Sequence, residues 1–252
     1  MINKIKVKKG FSLLEITIVL AIITTILAMI PFTKGIVTSS KANRLISEIG
    51  EYKVRIGNFY SVFGEIPGDF CQSSRAFDAA EKNGNCDKVL SVLPIDANNT
   101  SIRNEALLFW RHMYLSEKSG TVFTGVGNTL TMPSKIGSNL PASALDKRMG
   151  YYPVLRNGIS GSVATLGLNL ARCTKQQSSD GLCIKAGVEN KVLQQVDIKS
   201  DDGMPATGMV LGLNDSDLKC NTSTLTVINW TVDSTVKYVN RANEGCIAWF
   251  AV

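Results

Sequence analysis

The chain has 252 residues, 44% of them hydrophobic and 19% charged, which excludes both a disordered chain and an all-helical membrane bundle. Its net charge of +6 is concentrated at one end: setting aside Lys4, Lys6, Lys8 and Lys9 leaves 23 Lys and Arg against 21 Asp and Glu. That balance gives no support to nucleic-acid binding. A single histidine, His112, excludes His-rich metal sites, and six cysteines with no C-x-x-C pair argue against a zinc ribbon or a dithiol redox centre.

Residues 1–10 are basic and hold no acid. Residues 11–32 then run apolar with one charge, Glu15. As helix, this run spans about 33 Å, enough for a hydrocarbon core of about 30 Å. The preceding lysines place residues 1–10 in the cytoplasm and the remainder across the membrane. A secretory signal would have a shorter apolar core and a small-x-small cleavage site, so the apolar run is expected to be retained. Glu15 is the anomaly, because a carboxylate inside an apolar span costs several kcal/mol unless protonated or paired.

The stretch Lys-Lys-Gly-Phe-Ser-Leu-Leu-Glu at residues 8–15 resembles the prepilin cleavage motif of type IV pilins and of the pseudopilins of type II secretion. The resemblance implies cutting between Gly10 and Phe11 by a prepilin peptidase, N-methylation of Phe11, and Glu15 as the acid at the fifth mature position. It also implies a bacterial inner-membrane protein, single-pass with its head in the periplasm, that joins a cell-surface filament. The implied partners are other pilin-like subunits, the peptidase, the membrane and an inner-membrane assembly platform. Physically, cleavage creates a free amine at Phe11, and Glu15 of a neighbouring subunit can neutralise it and fix the axial register of the helices. One departure is Thr24-Thr25, where relatives often carry a glycine. Pro31 also falls one position early.

Residues 33–63 continue the helix. Ala42, Leu45, Ile49, Tyr52, Ile56, Phe59 and Phe63 form an apolar stripe expected to pack on a globular head. Lys41, Arg44, Glu48, Glu51, Lys53 and Arg55 take the other face. Gly64 and Pro67-Gly68 end the helix.

Residues 64–252 form the head. The cysteines fall in neighbouring pairs, Cys71 with Cys86, Cys173 with Cys183 and Cys220 with Cys246, among fifteen possible connectivities. A periplasmic head would keep them oxidised. Residues 73–83 and 101–117 read as short helices, the second with Ala106, Leu107, Trp110, Tyr114 and Leu115 on one face. Residues 120–167, rich in Gly, Ser, Pro and Asn, read as loops and short strands. Residues 163–170 are a strand or a loose helix. Residues 189–199 read as helix, followed by Asp197, Asp201 and Asp202, which suit a helix end and turn, with a calcium site as the alternative. Residues 208–213, 224–230, 236–239 and 246–252 read as strands. The expected class is α+β: a long N-terminal helix packed on an antiparallel-sheet head with disulfide-bonded loops. In type IV pilins a C-terminal disulfide encloses a partner-contacting loop, and residues 221–245 would occupy that place.

No residues are arranged for catalysis, so the leading reading is a structural subunit, a minor or specialised pilin. The alternatives are a type II secretion pseudopilin and a tip adhesion module on a pilin stalk.

Overall fold

The computed structural model describes residues 11–90, 92–94, 102–118, 120–125, 136–156, 165–173, 183–214, 218–222, 236–239 and 245–252, with the backbone alone at 30–34, 92–94, 102–104, 155–156, 173 and 183–184. Contacts divide the chain into two units, Met1–Ser40 and Lys41–Val252.

Helix α1 is Leu13–Phe63. In the first unit every residue from 11 to 29 is exposed. Among the described residues no helix is long and apolar enough to cross a membrane. The side chains described in this run stop at Met29, short of the 22-residue apolar run in the sequence. In the second unit the picture reverses. Ala42, Leu45, Ile49, Tyr52, Ile56 and Phe59 are buried in the main core, and Phe63 packs against it. Each large side chain so buried contributes about 1.5–3 kcal/mol. The helix ends at Gly64, whose φ of +71° is the left-handed conformation that glycine adopts freely. Its N–H donates to the Tyr60 carbonyl.

The head is α+β. Helix α2 is Ser73–Ala76, and strands β1 (Val92–Pro94) and β2 (Ile102–Asn104) form a small hairpin ahead of α3 (Glu105–Glu117). Among the described residues the main sheet has six antiparallel strands: β3 (Met149–Arg156), β4 (Thr165–Cys173), β5 (Cys183–Lys185), β6 (Val188–Glu189), β7 (Val210–Leu213) and β8 (Gly245–Ala251). Helix α4 (Asn190–Ser200) follows β6 directly.

Strand β8 is the hub, pairing with β4, β6 and β7. All seven of its residues are buried, so both sheet faces are covered there. The two-residue period sorts them. Phe250, opposite Leu168 and Val210, points into the main core with α1, α3 and α4. Trp249, opposite Leu211, belongs with Ala251 to a second, smaller cluster. Gly167 permits this arrangement, since a Cβ there would lie 2.2 Å from the Trp249 indole.

Several expected elements differ. The helix expected over 73–83 lasts only four residues. Asp78 then accepts the Ala80 N–H through its side chain and the Glu81 N–H through its carbonyl, a local turn that replaces the next helical turn. Residues 102–104 are strand rather than helix. The eight-residue strand β3 lies in the 120–167 region, where glycine, serine and proline pointed to loops and short strands. Of residues 163–170, those from 165 onwards are strand, in β4, and 163–164 lie outside the described residues. Among the described residues, 236–239 join no ladder and make one bridge, Asn221 with Tyr238. The strand expected at 224–230 lies outside the described residues.

Candidate processing and assembly site

Gly10 lies outside the described residues. Phe11 is 84% exposed just before α1. Ser12 caps the helix. Its hydroxyl accepts the Leu14 N–H at 3.3 Å, and Glu15 Oε2 accepts the Ser12 N–H at 2.9 Å. This Ser-x-x-Glu pairing satisfies two otherwise orphaned helix-terminal donors. The only carboxylate of the first helical turn is thereby held beside the backbone that follows Phe11. The sequence carries this signal in Ser12 and Glu15, whose Ser-x-x-Glu spacing is that of a capping box.

In the head, Cys71–Cys86 and Cys220–Cys246 are disulfide-bonded. Cys173 and Cys183 are Cα partners across β4 and β5, and their side chains lie outside the described set. The ends of the loop closed by Cys220–Cys246 are tied down by three asparagines. Asn190 donates to the Lys219 and Val239 carbonyls at 3.0 and 2.9 Å. Asn214 Oδ1 accepts the Cys220 and Asn221 N–H groups, and Asn221 donates to the Gly212 carbonyl.

Asp197, Asp201 and Asp202 come together, each with a carboxylate oxygen within 4.8 Å of the others. Their bonding is that of a helix end. Asp197 accepts the Gly203 N–H at 3.0 Å and the Tyr238 hydroxyl at 2.7 Å. Asp201 accepts the Met209 and Val210 N–H groups, and Asp202 the Met204 N–H and the Thr207 hydroxyl. Burial, followed by the neighbouring charges of Asp202 and Asp201, pushes the Asp197 carboxyl up to about 7, against the pull of its two hydrogen bonds. A second acidic group, Asp69, Asp87 and Glu105, did not stand out in the sequence. Its carboxylates also organise backbone: Asp69 accepts the Asp87 and Lys88 N–H groups and Glu105 the Asn85 N–H.

Two more polar residues brace the head. Glu48 is not a free solvent-facing charge. It accepts the Tyr151 hydroxyl at 2.7 Å and the Ala144 N–H at 3.0 Å, fastening α1 to β3 and the segment before it. His112 is fully buried. Its Nδ1 accepts the Gly68 N–H and its Nε2 faces the Lys82 carbonyl, both at 3.0 Å, which fixes the tautomer with the proton on Nε2. Burial pulls its pKa down to about 4.

The family model described as the prokaryotic N-terminal methylation motif matches residues 5–31. The chain carries the type IV pilin and pseudopilin signature. The match takes in the lysines at 6, 8 and 9, Gly10, Phe11, the Ser12–Glu15 cap and the exposed apolar run beyond it. No curated protein and no solved structure matches the chain. The pilin-type signature implies processing by a prepilin peptidase and assembly with other pilin-like subunits, and the family that bears it is structural. Behind it stand the long helix, an antiparallel sheet and two disulfides, the α+β plan that a pilin-like precursor calls for.

Proposed function

We propose that the protein is a structural subunit, a minor or specialised pilin, of a type IV pilus or related filament. The observation that carries this reading is the methylation motif at residues 5–31 leading directly into the exposed apolar turns of α1. In this reading residues 1–10 are a cytoplasmic leader, cut between Gly10 and Phe11. Residues 11–32 anchor the precursor in the inner membrane and later enter the filament core. Residues 33–63 tie that anchor to the head, residues 64–252, which folds in the periplasm with its cysteines oxidised. An inner-membrane assembly platform extracts the subunit. Among the described residues the apolar side chains of the first helical turns are exposed, and in this reading lipid followed by neighbouring helices covers them.

The large, loop-rich head favours a minor subunit, because bulky heads crowd a filament whose subunits repeat at short axial spacing. A type II secretion pseudopilin has the same anchor. Abundance in sheared surface filaments separates a major pilin from a minor one.

The intact mass of protein extracted from membranes tests the reading. A chain beginning at Phe11 with one added methyl group is expected. A mature form that begins at Met1, or beyond residue 30, overturns it.

A further inference from the structure

Among the described side chains, two disulfides stand in opposite surroundings. Cys220 and Cys246 are both 0% exposed and belong to the main core. Cys71 and Cys86 are half-buried, on the segment that follows the end of α1. Thiol–disulfide exchange begins when a thiolate reaches one of the two sulfurs, so access decides which bridge can react. The core pair is closed to an attacking thiol while the head is folded, and the half-buried pair is open to one.

The Cys71–Cys86 bridge also does not hold its segment alone. The Gly84 and Cys86 N–H groups donate to the Phe70 and Asp69 carbonyls at 2.9 and 3.0 Å. The Asp69 carboxylate accepts the Asp87 and Lys88 N–H groups at 3.1 and 2.8 Å. Asn83 accepts the Ser74 N–H at 2.8 Å, Glu81 pairs with Arg111 of α3, and Phe77 packs on Phe63 and Phe70. Opening the bridge therefore leaves the two ends of its loop bonded to each other, and the sulfurs stay near enough to close again.

The two sulfurs are not equivalent. The Cys71 N–H donates to Cys86 Sγ at 3.1 Å. A hydrogen bond stabilises a developing thiolate more than a neutral sulfur, so Cys86 is the better leaving group. The Asp87 carboxylate, next in the chain, opposes that charge, but it already accepts from the Asn85 amide and the Val89 N–H at 2.7 and 2.8 Å. An incoming thiolate is thereby directed to Cys71 Sγ.

We propose that Cys71–Cys86 is an exchangeable disulfide that a dithiol opens, whereas Cys220–Cys246 is purely structural. One thiolate of the dithiol bonds to Cys71 Sγ. The bond to Cys86 breaks with its electron pair on Cys86 Sγ, which takes up a proton. The second thiolate of the dithiol then attacks the first sulfur of the dithiol in the mixed disulfide, and Cys71 leaves and is protonated. The dithiol is oxidised to a disulfide as the bridge is reduced to two thiols. The head thus carries a redox-sensitive lock beside the end of α1, independent of any role in a filament.

Timed alkylation of the full, oxidised chain in mild detergent tests this. Dithiothreitol starts the reaction, iodoacetamide stops it, and peptide mass mapping reads each cysteine. Cys71 and Cys86 should be alkylated at least about tenfold faster than Cys220 and Cys246, with tryptophan fluorescence unchanged as the first pair opens. With limiting glutathione, a monothiol, the trapped chain should carry glutathione on Cys71 and the alkyl group on Cys86. The Cys71→Ser, Cys86→Ser double variant stands for the open bridge and should keep the wild-type fluorescence. Equal rates for the two bridges, native fluorescence lost on opening the first pair or in the double variant, or glutathione found on Cys86 overturns the proposal.

Discussion

The two halves of α1 share one helix and lead opposite lives. From residue 11 to 29 the apolar side chains surround the helix and all are exposed, whereas from Ala42 to Phe59 a single stripe is apolar and all of it is buried. The reason is in the pattern. A helix apolar on every side cannot satisfy itself against one globular partner and needs an apolar medium or several neighbours. A helix with one stripe needs one partner, and the sheet with α3 and α4 supplies it within the same chain. The first half is thus specified for partners outside the molecule and the second for partners inside it.

The sharpest way to break this comparison is to change Glu15, the one charge in the outward-directed half. Glu15→Val should leave membrane insertion intact, since Val is cheaper to bury than a carboxylate. Cleavage after Gly10 should survive as well. Incorporation should fall by about 10²–10³-fold or more, because losing one partner of a desolvated pair costs about 3–5 kcal/mol. The measurement is the fraction of mutant in sheared filaments relative to its membrane pool. Normal incorporation would mean that Glu15 serves only as the reciprocal cap of Ser12, a role worth about 0.5–2 kcal/mol to the helix end.

The next test sets equivalent cuts in the two halves side by side. Leu45→Ala removes a fully buried side chain of the core and should destabilise the head by about 2–5 kcal/mol. Ile23→Ala removes an exposed side chain of the first half and should change head stability by less than about 0.5 kcal/mol. Urea unfolding of the detergent-solubilised chain, followed by tryptophan fluorescence, measures both. Equal losses would mean that the two halves are not energetically separate.

What the sequence made legible follows the same division. The stripe was readable because a 3.6-residue period is local, and each apolar position predicts the next. The methylation motif was readable because its spacing is fixed along the chain. The sheet was harder. Strand β3 lies in a region whose glycines, serines and prolines point to loops, and it is strand because Tyr151, Tyr152 and Val154 find Leu170, Asn169 and Gly167 on β4. The roles of Glu48 and of the loop-fastening Asn190, Asn214 and Asn221 left no sequence signal, because each partner comes from a distant segment. Asp197, Asp201 and Asp202 were visible as a cluster, but only the placement of Tyr238 and of the 203–210 backbone tells what each carboxylate holds.

His112 allows a smaller test, confined to the inward-directed region. Its folded pKa of about 4 lies below the ordinary 6.5 because burial disfavours the imidazolium, with Arg111 adding to the effect and Glu81 and the Lys82 carbonyl opposing it. Between about pH 4 and 6.5 the unfolded chain binds the proton more readily than the folded one. The contribution of His112 is therefore fully present above 6.5 and is lost as pH falls through that window, to a total of about 3 kcal/mol. His112→Gln cannot titrate, so the stability difference between wild type and this variant should shrink by that amount between pH 7.5 and 4. A difference independent of pH would show that the imidazole is not held neutral by the fold.

Asp197 predicts the opposite slope. Its folded pKa of about 7 lies above the ordinary 3.8, chiefly through burial. Between about pH 4 and 7 the folded chain holds the proton more tightly, so the contribution of Asp197 is present at low pH and is lost as pH rises towards 7. The two residues thus oppose each other over nearly the same range, and the wild-type profile should be shallow. Replacing either one exposes the other: His112→Gln should lose stability as pH rises, and Asp197→Asn should gain it. An asparagine can still accept the Gly203 N–H and can donate to the Tyr238 oxygen, so the ties of the 236–239 segment to α4 remain. At pH 8, where the native carboxylate is ionised and buried, Asp197→Asn should therefore be the more stable chain, by about 1 kcal/mol. Urea midpoints at pH 5 and pH 8 decide it. A variant less stable than wild type at pH 8 would mean that the charge itself, through its bonds to Tyr238 and Gly203, holds the helix end and the disulfide-closed loop together.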